Sequence, residues 1–199
     1  MISHKHKVLF YHIPRTAGTT VEIMLTGFDW AYVDLSTKHP SMETFKQKYK
    51  NYWDDYKKIT IVRNPFSWVK SNYGSSISEV TSFEDYCNDF YFDKGTNDFG
   101  VKYCDINKKT FTDIFEIEFD KIYKFEDLVC NNFTILCNDF SLGNVPINFM
   151  SYENNNFYGK PKHTKRTIEL IRDKFKEDFI NFYPEYLEYG TNKILKEFN

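Results

Sequence analysis

Nowhere in the chain does an apolar run reach the length of a signal-peptide core or a membrane span, so the expected location is cytoplasmic. A charge excess is missing too. Lys and Arg number 26 against 28 Asp and Glu, a formal net charge of −2. Such a chain has no general attraction to nucleic acid or to an anionic membrane, and any anion site must be built locally. Cysteine is sparse and unpatterned. Cys87, Cys104, Cys130 and Cys137 form no C-x-x-C pair, no His/Cys group has zinc spacing, and no metal is expected. In a reducing compartment they read as free, mostly buried thiols. Cys130 and Cys137, seven apart, are expected on one core-facing side of a helix. There is no internal repeat, no low-complexity tract and no linker, so the 199 residues are expected to form a single domain spanning 1–199. A Walker A sequence, G-x-x-x-x-G-K-[ST], is absent as well, which argues against an ordinary ATPase or GTPase.

What is present is apolar substance and one organising stretch. The chain is 41% hydrophobic and 19% aromatic, enough for a real core at this length. Val8–Leu25 reads VLFYHIPRTAGTTVEIML. Val8 to Tyr11 predicts a short buried strand, and Pro14 and Gly18 punctuate a tight loop. Thr19 or Thr20 is then expected to cap a helix with Val21, Met24 and Leu25 at helical spacing. A strand, a small-residue loop and a helix N-terminus form an arrangement that binds phosphate, because free N–H groups and the positive end of the helix dipole face the loop. Arg15 and the hydroxyls of Thr16, Thr19 and Thr20 add donors suited to phosphate or sulfate oxygens. The competing reading is a strand–turn–helix corner with incidental hydroxyls.

Trp30 to Val33 predicts a second short strand, and Ser41 caps a helix carrying Met42, Phe45 and Tyr49. His39 lies between them, at the kind of strand-end loop where α/β sheets place ligands, although a surface or capping histidine is the alternative. Lys58 to Val62 is the next strand. In the RNPFSWVKSNY that follows, Asn64 suits an N-cap and Pro65 a first helical residue. Arg63 is suited to a bidentate phosphate contact, a structural ion pair being the alternative, and Ser71 follows two turns into the helix. Ser82–Asp85 resembles a capping box. Residues 93–110 read as a loop that could shape an acceptor pocket, and 141–160 as a mobile segment. Lys121 to Phe125 predicts a strand, with one helix from Glu126 to Cys137 after it. Thr164 caps a long amphipathic helix with Ile168, Ile171, Phe175, Phe179 and Phe182 inward, and the tail from Glu185 predicts a short docked helix. The basic run at 160–166, including Lys165 and Arg166, either closes over a phosphate or forms a solvated face.

Taken together, HIPRTAGTT after a strand and IVRNPFSWVKSNY further on resemble the nucleotide-binding motifs of PAPS-dependent sulfotransferases (PAPS is 3′-phosphoadenosine 5′-phosphosulfate). The resemblance is to the carbohydrate type, that of heparan-sulfate 2-O-sulfotransferase and its bacterial relatives. It implies that Pro14, Arg15, Thr16, Ala17, Gly18, Thr19 and Thr20 wrap the 5′-phosphosulfate, and that Arg63 and Ser71 meet the 3′-phosphate. KHPSMETF resembles the family's His-containing loop and implies His39 as catalytic base, with Arg15 neutralising the leaving phosphate. KFEDL and the last long helix agree more weakly. Arg15 stands where the family usually has Lys, and the chain is short, so acceptor-binding insertions of larger members are expected to be missing. The fold so implied is α/β, a P-loop-like three-layer arrangement with a central, mainly parallel sheet flanked by helices. The expected activity is sulfuryl transfer from PAPS to a hydroxyl, of a sugar or glycan, without metal. A nucleotide-dependent phosphotransferase and a non-catalytic nucleotide-binding module are the rivals, and pairing as a homodimer is left open.

Overall fold

The computed structural model describes residues 1–74, 82–89, 110–115, 118–143 and 161–199. In chain order the first elements are β1 (Ile2–Ser3), β2 (Val8–Tyr11), α1 (Gly18–Thr26), α2 (Met42–Tyr49), β3 (Lys57–Val62), α3 (Pro65–Tyr73) and α4 (Phe83–Asp89). Then come α5 (Phe111–Ile114), β4 (Lys121–Lys124), α6 (Phe125–Cys130), α7 (Thr134–Asp139), α8 (Lys165–Lys174), α9 (Lys176–Phe182) and α10 (Thr191–Phe198). The chain divides into two compact units: Met1–Arg63 with Glu116–Glu153, and Asn64–Phe115 with Asn154–Asn199. Among the described residues no helix is long and apolar enough to cross a membrane.

The first unit holds a mixed, mainly parallel sheet in the order β1-β2-β3-β4, with β1 antiparallel to β2 and the other pairs parallel. β2 is buried along its whole length, as expected of an apolar strand covered on both faces. Its alternate residues separate the two faces. Val8 and Phe10 join Ile59, Ile61 and Tyr123 in a core closed by Val21 and Leu25 of α1, Leu128 of α6 and Leu136 of α7. On the opposite face Tyr11 meets Phe45 of α2 edge-on (centroids 5.1 Å apart) and Phe119 (6.2 Å). The sheet is thus flanked by helices, in an α/β fold. The second unit is helical in its described part. Asn64 caps α3 by accepting from the Phe66 N–H (3.0 Å), with Pro65 at the first helical position. Trp68 and Phe66 of α3 pack on Phe111 (4.6 Å) and Phe179 (5.0 Å). Thr164 caps α8 in a reciprocal box with Thr167.

Several expectations are corrected. The strand predicted at Trp30–Val33 is a 3₁₀ turn, Trp30–Tyr32, because its N–H groups are taken locally and by Glu22 rather than by a neighbouring strand. His39 therefore follows turns, not a strand. The helix from Glu126 to Cys137 is broken at Asn132 and Phe133, whose φ angles are 47° and 57°. Phe133 swings into the core and its N–H closes on the Leu128 carbonyl (2.7 Å), which ends α6. Cys130 is consequently exposed and Cys137 half-buried, on different helices, and only Cys87 of the described thiols is buried. The long helix after Thr164 stops at Phe175, and Tyr183 rather than Phe182 takes the last buried position. The N-terminal segment adds an edge strand, β1, paired antiparallel to β2. Cys104, most of the loop at 93–110 and most of the segment at 141–160 lie outside the described residues.

Candidate active site

The site is assembled at the carboxyl ends of the parallel strands, where open α/β sheets hold ligands. After β2 the chain continues through His12 into the loop. Arg15 and Ala17 sit at φ 65° and 63°, in the left-handed region. Non-glycine residues occupy it at a cost of roughly 1–2 kcal/mol each, a strain that concentrates in loops presenting main chain to a ligand. The Thr16 hydroxyl, expected to serve a ligand, is buried and donates to the Ile13 carbonyl (2.7 Å), so it braces the loop. The helix begins at Gly18 after Ala17, two to three residues earlier than expected, and neither Thr19 nor Thr20 caps it. The first N–H to find an intrahelical partner is Val21's, on the Ala17 carbonyl (3.3 Å). That leaves the N–H groups of Gly18, Thr19 and Thr20 without a main-chain partner among the described residues, at the positive end of α1.

Arg63, directly after β3, donates from a terminal nitrogen to the Arg15 carbonyl (2.9 Å). Its guanidinium lies 4.1 Å from the ring centre of Phe125, at the start of α6. It is thereby fixed beside the loop and holds the strained Arg15 peptide in place. Burial lowers the pKa of Arg15, and a guanidinium remains charged even so.

His39 is half-buried, and its Nδ1 lies 3.0 Å from the His12 carbonyl oxygen. A carbonyl only accepts, so Nδ1 carries the proton and Nε2 is the basic nitrogen of the neutral ring. Burial holds the pKa of His39 well below the usual imidazole range, and charge on His12 would push the same way. The ring is therefore neutral at physiological pH.

Around this pair lies a buried network that the sequence reading did not single out. His12, 3% exposed, places Nδ1 2.6 Å from Oε1 of Glu22, which is fully buried. The other Glu22 oxygen accepts from the Trp30 N–H (3.2 Å) and faces Nζ of Lys38 (3.4 Å), which also pairs with Asp29. Burial alone would raise the pKa of Glu22, but His12, Lys38 and the Trp30 N–H outweigh it and hold it at about 2. Burial lowers His12, against the pull of Glu22, so a neutral imidazole donates to an ionised carboxylate. The signal in the sequence was the helical spacing of Gly18, Glu22 and Leu25, which puts a carboxylate in the buried stripe of α1.

Pro14, Arg15, Thr16, Ala17, Gly18, Thr19, Thr20, His39 and Arg63 are thus gathered in the sheet unit. Ser71, half-buried on α3, belongs to the helical unit with Lys165 and Arg166. The last two are exposed in the first turn of α8, and Arg166 lies 3.9 Å from Glu169. Buried in that basic run is His163. Among the described residues no group of three or more His, Cys, Asp or Glu side chains is placed to hold a metal ion.

The mainly parallel sheet, whose first strand–loop–helix turn carries main-chain donors beside Arg15 and Arg63, has an arrangement suited to anions. The chain belongs to the sulfotransferase family, whose sequence model matches residues 1–129. That span takes in the loop, His39, Arg63 and Ser71, and stops before Lys165 and Arg166. Searches of curated proteins and of solved structures give no match.

Proposed function

We propose that this sulfotransferase moves a sulfuryl group from PAPS to an acceptor hydroxyl, on a sugar or glycan, with His39 as general base. The observation that carries the reading is the bond between His39 and the carbonyl of His12, the residue that opens the loop. The same few residues present both the imidazole and the start of the anion-binding turn. The loop suits a phosphosulfate: three N–H groups at the start of α1, a strained main chain at Arg15 and Ala17, and a guanidinium at Arg15. Pro14 to Thr20 would hold the 5′-phosphosulfate, and Arg63 with Ser71 the 3′-phosphate.

When bound, PAPS supplies a sulfuryl group attached to a phosphate leaving group. Nε2 of His39 takes the proton of the acceptor hydroxyl as that oxygen bonds to sulfur. The bond from sulfur to the 5′-phosphate oxygen breaks, and its electron pair stays on the phosphate. Arg15 and the α1 N–H groups meet that charge. The neutral state of His39 makes the base available without prior deprotonation. The carbohydrate acceptor is carried by the motif resemblance alone.

Calorimetric titration with PAP, the desulfated product, against ATP and 5′-AMP without metal tests the donor. PAP is expected to bind selectively, and Arg63→Ala to weaken it about tenfold or more, the loss of a charge-assisted contact. His39→Ala is expected to keep PAP affinity and lose turnover. Magnesium-dependent ATP binding with no response to PAP would overturn the reading in favour of a phosphotransferase.

A further inference from the structure

Four contacts hold the His12 ring. Its face stacks on Phe10 (centroids 5.7 Å apart, planes 17° apart), and its Nδ1 is bonded to Glu22. The edge carrying Cδ2 and Nε2 lies against the backbone of Gly18, where a Cβ would fall 1.9 and 2.1 Å from those atoms. On the remaining side His39 meets it in an edge arrangement, centroids 4.3 Å apart. Glu22 is common to both ends of this assembly. One oxygen holds His12, whose carbonyl receives the Nδ1 proton of His39; the other faces Lys38, the residue preceding His39 in the chain.

We propose that Glu22 is a positioning residue for His39, fixing on one oxygen the segment that selects the His39 tautomer and on the other the backbone that carries His39. The assignment rests on the reading of His39 as base. Glu22 belongs to α1, the helix whose first turn forms the anion site, so one rigid element sets the loop and the base together. Paired buried charge suits this task, because a carboxylate shut away from water holds its partners in a single arrangement. Displacing the His12 carbonyl by a fraction of an ångström would let the imidazole rotate or exchange tautomers. The nitrogen facing the acceptor would then carry a proton and could not take one.

The test combines ring NMR with kinetics on the full-length chain. In the ¹⁵N-labelled native protein, His39 is expected to show a protonated Nδ1 and an unprotonated Nε2. In Glu22→Gln, which keeps shape but removes the charge facing Lys38, the two nitrogens are expected to average. In the same variant kcat for PAPS-dependent transfer falls at least about tenfold, as when groups that orient a reacting side chain are removed, while PAP affinity stays near native. A carboxylate serving stability alone would lower the melting temperature and leave both the ring spectrum and the split between kcat and PAP affinity unchanged. That outcome overturns the proposal, as does a native His39 protonated on Nε2. Should Glu22→Gln not fold, Lys38→Met leaves the Glu22–His12 pair in place and tests the other arm: native tautomer and native kcat there count equally against it. Absence of turnover with PAPS in the native chain would defeat the sulfuryl-transfer reading, while the ring spectra would still decide the positioning.

Discussion

Gly18 shows how one residue type is dictated by a neighbour and not by its own backbone. Its φ is not positive, yet a side chain there would overlap the His12 ring at 1.9 Å. Gly18→Ala is expected to cost roughly 1–3 kcal/mol by overpacking and to lower turnover by displacing His12 from Glu22. Denaturant midpoints and single-turnover rates check both, and an alanine variant as stable and as fast as the native chain would refute the packing argument. His163 carries a second residue-scale prediction. It is 3% exposed, Nε2 lies 3.2 Å from the Phe66 carbonyl oxygen, and Nδ1 has no partner among the described residues. Burial, reinforced by Lys70, pulls its pKa from 6.5 down to about 4. The unfolded chain therefore binds more protons than the folded one between these values, and stability rises with pH through that window. The contribution is complete above the unfolded value and is lost on acidification, amounting to roughly 3 kcal/mol at most. Urea titrations at pH 7 and pH 4.5 should show a smaller loss for His163→Phe than for the native chain; equal losses would assign the acid sensitivity elsewhere.

At the scale of elements, short helices hold their ends through partners supplied by others. α5 is only one turn, too short to persist alone. Its first N–H groups, those of Phe111 and Thr112, donate to the carboxylate of Asp178 on α9 at 2.9 and 2.7 Å, and the Thr112 hydroxyl adds a third bond at 2.6 Å. Burial raises the pKa of Asp178 in spite of these donors, a mark of the desolvation that this cap sustains. Asp178→Ala leaves buried donors unpaired, and a loss of roughly 3 kcal/mol is expected, with Asp178→Asn retaining part of it. Chemical denaturation of both variants would decide: an alanine chain within about 0.5 kcal/mol of native would show that water replaces the cap. The same comparison of elements explains which helix ends were legible. Ser41, Asn64 and Thr164 announced their helices because a capping side chain bonds only two or three residues away. The break at Phe133 was hidden, since its ring leaves helical register to reach a core that is distant in sequence, whereas Phe175 ends α8 while keeping the buried position that helical spacing gives it.

For the whole molecule, the proposed donor site implies linkage between binding and stability. A ligand held only by the folded chain stabilises it by about 2.7 kcal/mol at a hundredfold excess over Kd. PAP is expected to raise the melting temperature in a concentration-dependent way, while 5′-AMP, lacking the 3′-phosphate, should do so far less at equal concentration. Equal shifts would remove Arg63 and Ser71 from 3′-phosphate recognition. The sequence by itself determined what depends on near neighbours: the buried strands at Val8 and Lys58, the glycine-bearing turn between strand and helix, the Asn64–Pro65 start of α3, and the pairing of motifs that marks the sulfotransferase family. Local sterics and hydrogen bonds write these directly into the order of residues. Only the tertiary structure decided that Thr16 braces its own loop, that Arg63 grips the Arg15 carbonyl, and that Glu22 joins His12 to Lys38 beneath His39. Those contacts depend on which face of β2 meets α1 and on where the turn before α2 returns, and the burial that gives them their strength comes from the packed sheet.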